Sequence, residues 1–166
     1  MDTVSDFEDL LAALSKHRVR YLIIGGLAFI YHAKPRYTKD LDLWIDPDPQ
    51  NIERANVALR EFGSPHLLSA GKQKEILQLG LPPNRINLLC ETGGVAFEEA
   101  WRHREDALYG VAPAHWIRSR ALIAIKRAGS TIRVIRRTCA CSRPSGSAGK
   151  LERASVMSTL SGPSTP

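Results

Sequence analysis

The chain has 166 residues, 43% of them hydrophobic and 24% charged, with a formal net charge of +6. That length suits one domain with its own core and argues against a second full domain, and the sequence lacks the roughly 20-residue apolar run of a membrane-spanning helix. Residues 1–127 carry 17 Lys/Arg against 16 Asp/Glu, whereas residues 128–166 carry six against the single acid Glu152. Nucleic-acid binding is therefore not supported by the nearly neutral body, and a nucleic-acid-binding module rests on the basic tail alone. The acidic start, Met1–Asp6, lacks the basic-then-apolar layout of a secretory signal and reads as cytoplasmic. Cys90, Cys139 and Cys141 form neither a disulfide framework nor a zinc spacing, and Cys90, in an apolar run, reads as a buried small hydrophobe.

In chain order, a first helix is predicted from a cap at Ser5 or Asp6 through Phe7, Leu10, Leu11 and Leu14 to near His17. Val19–Ile24 reads as a strand, Gly25-Gly26 as a tight turn and Leu27 onward as a helix. Asp40–Ile45 alternates polar and apolar residues and is closed by Pro47 and Pro49, the pattern of a half-buried strand. A helix follows over Asn51–Phe62, with Asn51 as cap, Gly63 as stop, and Ile52, Ala55, Leu59 and Phe62 facing inward.

Glu75–Leu79 and Arg85–Cys90 read as antiparallel neighbours across Leu81-Pro82-Pro83-Asn84. Val95–Arg104 reads as a short helix, Trp116 and Ile117 as a last strand edge, and Ser119–Arg127 as a helix with Leu122, Ile123 and Ile125 on its apolar side. Beyond residue 128 Arg, Ser, Gly, Pro and Thr take over, with Thr131–Ile135 as one candidate strand. The expected organisation is a domain over 1–128 and a disordered basic tail over 129–166.

Asp40 and Asp42, at i and i+2 on a strand, share one face and can clamp a metal. Mg²⁺ takes a few carboxylate oxygens together with substrate phosphates. An acidic pair alone is common on solvent-facing strands; the strand-Gly25-Gly26-helix junction ahead of it adds a place where phosphates approach backbone N–H groups. A phosphate cradle beside a carboxylate clamp is what a metal–nucleoside triphosphate requires. Arg36, Thr38 and Lys39 flank the carboxylates within reach of phosphates, with simple solvation of the loop as the alternative. Trp44, Trp101 and Trp116 read as packing residues.

The stretch YLIIGGLAFIYHAKPRYTKDLDLWI resembles the signature of the nucleotidyltransferase superfamily related to DNA polymerase β, and most closely small bacterial members of the toxin–antitoxin type. The likeness continues through LGLPPNRINLLCETGGVAFEEAW to ALIAIKRAG, spanning roughly Leu10 to Gly129. It implies an α/β (α+β) fold with a short mixed sheet flanked by helices. It also implies Mg²⁺ as cofactor and an NTP such as ATP as substrate, with transfer of a nucleotidyl group to a hydroxyl of a protein, RNA or small molecule, and an antitoxin or other protein as partner.

The matched positions are Gly25 and Gly26 for phosphates and Asp40 and Asp42 for metal and catalysis. Lys126 is a candidate phosphate contact, as lysines in this part of related proteins are, with a lysine that simply favours the helix C-terminal dipole as the alternative. Where the family places a third carboxylate, in an Arg-Ile-Asp strand, this chain has Arg85-Ile86-Asn87. An amide is neutral and a poor proton acceptor, so a catalytically impaired nucleotide- or partner-binding pseudoenzyme is the alternative. Glu91, four residues beyond Asn87, replaces the missing carboxylate only if the strand extends that far.

Overall fold

The computed structural model describes residues 3–33, 38–71, 74–81 and 84–129. Helix α1 (Thr3–Lys16) buries Phe7, Leu10, Leu11 and Leu14. It begins ahead of Ser5 and Asp6, so these lie in its first turn rather than at its cap, where the Asp6 charge favours the helix dipole. Strand β1 (Tyr21–Ile24) is buried throughout and runs straight into α2 (Gly25–His32). Strand β2 (Asp40–Ile45) has the expected bounds.

Helix α3 (Pro49–Phe62) is capped by Asp48, not Asn51. The Asp48 carboxylate accepts from the Gln50 and Asn51 backbone N–H groups at 3.0 and 3.1 Å, and Pro49 opens the helix where its missing N–H costs nothing. Asn51 is instead a buried brace, 1% exposed. Its Oδ1 accepts from the Arg20 N–H at 2.8 Å, and its Nδ2 donates to the Arg20 and Asp46 carbonyls at 3.0 Å each, tying the start of β1 to the end of β2. Gly63 stops the helix in the left-handed conformation, as expected.

Strands β3 (Ile76–Leu79) and β4 (Arg85–Leu89) pair antiparallel, followed by α4 (Phe97–Arg102). A hairpin that the sequence reading missed comes next, β5 (Glu105–Tyr109) and β6 (Ala112–Trp116), turning through Gly110 at φ +57°. Helix α5 (Ser119–Ala128) buries Leu122 and Ile125, while Ile123, expected beside them, is 49% exposed.

The described residues form a mixed α+β fold around one six-stranded mixed sheet, in the order β3-β4-β2-β1-β6-β5. Strand β2 is antiparallel to β1 and parallel to β4, and β1 is parallel to β6. One face of the sheet packs Tyr21, Ile23, Leu41, Leu43, Ile45 and Leu88 against α1 and α3. The other packs Leu22, Ile24, Trp44 and Leu89 against Ala28 of α2, Phe97 of α4, and Leu122 and Ile125 of α5. On this second face β2 reads Asp40, Asp42, Trp44, so its apolar cover gives way to two carboxylates towards the start of the strand.

No helix among the described residues is long and apolar enough to cross a membrane. Cys90 is buried, and burial, with the Asp46 carboxylate adding to it, pushes its thiol up to about 11, as suits an unreactive core residue. Arg36, the 131–135 segment, Cys139, Cys141 and the rest of the tail lie outside the described residues.

Candidate metal and nucleotide site

The site is built by strand register. Parallel pairing sets Asp40 beside Arg85 and Asp42 beside Asn87, and antiparallel pairing sets Ile24, the residue before Gly25, opposite Asp42. Residues paired across neighbouring strands share a face, so Asp40, Asp42, Arg85 and Asn87 form one polar patch at the end of β1. Gly25 stands at φ +67°, and a Cβ added there would overlap the Asp42 carboxylate. Glycine is required at 25 by both backbone conformation and space.

Asp42 is half-buried, and its Oδ1 accepts from Asn87 Nδ2 at 2.8 Å. Burial raises its pKa above the ordinary aspartate value. The Asn87 hydrogen bond opposes the rise, the Asp40 charge adds to it, and the Gly26 backbone N–H and Arg85 oppose it further. A carboxyl whose folded pKa is raised favours the fold below its unfolded value of 3.8, and that contribution is lost as pH rises through the folded pKa. Ionised Asp42 is therefore a cost to the metal-free fold. Asp40 is gripped in a fork by Arg85, through Nε at 3.1 Å and Nη2 at 2.9 Å, and the two side chains are 32% and 28% exposed.

This donor set fits Mg²⁺. Two carboxylates on one face supply hard oxygen ligands and leave other positions for water and phosphate. A cation held by them would offset the Asp40 charge that helps to raise the Asp42 pKa. Asp40 and Asp42 would hold the ion, and Asn87 can add a neutral carbonyl oxygen if its amide turns over, since the orientation of such an amide follows its hydrogen bonds. No group of three or more His, Cys, Asp or Glu gathers among the described residues, in line with an amide at 87.

The other expected residues are placed less centrally. Gly26 lies in the first turn of α2 with its N–H towards Asp42, so the aspartate claims one of the donors expected to face phosphate. Thr38 is half-buried just ahead of β2. Lys126 sets its Nζ over the Phe29 ring, 4.2 Å from the centroid, and makes its contact with α2 rather than with the carboxylates. Strand β4 ends at Leu89 and Glu91 is exposed beyond it, so the alternation that would bring Glu91 over Asn87 is broken. Trp44 and Trp116 are buried, and Trp101 packs against the guanidinium groups of Arg20 and Arg104.

Sequence reasoning missed Arg85 as a site residue. The signal was present: Arg85 and Asn87 are an i, i+2 pair, the same spacing that singled out Asp40 and Asp42. A cleft of about 770 Å³ lies instead between α1, the end of α3 and β3, and contains none of these residues. No protein-family model matches the chain, and no characterised protein matches it either.

Proposed function

We propose that the chain has a nucleotidyltransferase fold, binds an Mg²⁺–nucleoside triphosphate at Asp40, Asp42 and the Gly25-Gly26 junction, and transfers the nucleotidyl group to an acceptor hydroxyl. The observation that carries this reading is the packing of the Asp42 carboxylate on Gly25 at the start of α2. It sets one carboxylate of the pair against the N-terminus of α2, so that a metal held there and phosphates at the remaining α2 amides would be neighbours. Bound Mg²⁺ would neutralise charge that develops on the phosphates.

The chain's own groups would do the rest. Asp40 and Asp42 would hold the ion, and the α2 amides that Asp42 leaves open would receive phosphate oxygens. In the transfer, the acceptor oxygen bonds to the α-phosphorus, the bond from that phosphorus to the bridging oxygen breaks, and pyrophosphate leaves. The hydroxyl proton must go to a base. Asn87 cannot take it, so transfer is slow and relies on water or on Asp40 and Asp42. The amide at 87 also favours a second reading, in which the site binds nucleotide without turning it over.

Incubation with α-labelled NTPs, Mg²⁺ and a cell extract separates the two readings. Transfer predicts label on an acceptor that depends on Mg²⁺ and disappears with Asp42→Asn. Labelling that persists without Mg²⁺, or is equal with Asp42→Asn, contradicts it.

A further inference from the structure

A cation already sits on the Asp40 carboxylate, that of Arg85. Both of its oxygens are engaged by the Arg85 fork, whose planar geometry matches a carboxylate and makes this one of the stronger kinds of charge-assisted contact. The sheet does not need this fork, because β2 and β4 are already paired at five successive positions from Asp40↔Arg85 to Trp44↔Leu89. A part-exposed ion pair adds little to stability in any case. Asn87, the next residue on the same face, is neutral and engages Asp42 instead. The arrangement sets a cation where an incoming cation must bind.

Resting on the proposed metal–nucleotide reading, we propose that Arg85 is a resident counter-ion of this site, which occupies Asp40 when no divalent cation is present and gives it up when one binds. The β4 backbone is held by the ladder, so the change is a swing of the side chain alone. A guanidinium released beside a divalent cation is repelled by it and retains five donors that seek an anion. The phosphates of a metal-bound nucleotide are that anion. Metal and nucleotide therefore favour each other's binding through Arg85, and Arg85 disfavours metal that arrives alone. Arg85 acts on the metal through Asp40 and is a positioning residue in that role.

The test titrates Mn²⁺ alone into the full chain and follows free Mn²⁺ by its paramagnetic resonance signal, for the wild type, Arg85→Gln and Arg85→Lys. Arg85→Gln should tighten Mn²⁺ binding by about tenfold, within the common range of coupling between sites. Arg85→Lys, which keeps the charge but not the fork, should fall between. Thermal unfolding without metal accompanies each protein. Mn²⁺ binding by the wild type that is unchanged or weaker in Arg85→Gln overturns the role of Arg85 and leaves the metal site standing. Absence of Mn²⁺ binding in all three proteins overturns the metal reading and this inference with it. Loss of cooperative unfolding in both variants makes the fork a structural tie and overturns the inference.

Discussion

Asn87→Asp is expected to raise single-turnover nucleotidyl transfer by about 10²-fold or more at saturating Mg²⁺, the lower end of what a well-placed general base supplies. The geometry gives the reason: residue 87 pairs with Asp42 across the β2–β4 ladder, and its side chain already reaches the Asp42 carboxylate at 2.8 Å. A carboxylate there adds negative charge to draw the ion in and an acceptor for the hydroxyl proton. Without metal the same change sets carboxylates against each other in a half-buried patch, so the variant should melt below the wild type and recover when Mg²⁺ is added. Equal transfer rates for the two proteins would place residue 87 outside the chemistry.

Asn51→Ala is expected to cost about 3 kcal/mol, because it strips partners from the buried Asp46 carbonyl and the part-buried backbone of Arg20 and leaves the Arg20 N–H without its acceptor. At about 3 °C for each kcal/mol in a domain of this size, the melting temperature should fall by roughly 10 °C. Gln50→Ala, on the neighbouring exposed residue, is the control and should move it by no more than about 2 °C. A fall as small as the control's would show that the amide only fills space between β1 and β2.

These two asparagines mark what the sequence made legible and what it did not. Strand β2 was read to its exact ends because DLDLWI alternates, and the β1–α2 junction because two glycines follow a run of β-formers. The pairing of Asn87 with Asp42 follows from strand order, which periodicity alone could not give.

Asn51 was misread as a helix cap because it stands near the start of an apolar-periodic segment. The true signal was Asp48-Pro49, an acceptor followed by the residue that tolerates the first helical position. Only the Trp116 end of the β5–β6 hairpin was read as strand, because the rest of the buried face of β6 is small, Ala112 and Ala114, and Pro113 interrupts the pattern. Ile123 was placed on the apolar side of α5 by its hydrophobicity, yet it neighbours Leu122 in sequence and so points about 100° away around the helix. Burial at the site was not legible either: the raised pKa of Asp42 depends on how far the sheet and α2 exclude water from it, a property of packing.

The most direct test of the metal–nucleotide site is calorimetric titration of Mg²⁺ with a non-hydrolysable NTP analogue into the wild type and Asp42→Asn. Asn at 42 removes a charge that costs the metal-free fold stability, so the variant should remain folded and the comparison should report on binding. The account predicts saturable binding by the wild type that tightens as pH rises through the raised Asp42 pKa, because a protonated carboxyl is a poor ligand, and no measurable binding by Asp42→Asn. Equal affinities for the two proteins, or wild-type binding that is the same with and without Mg²⁺, would contradict it.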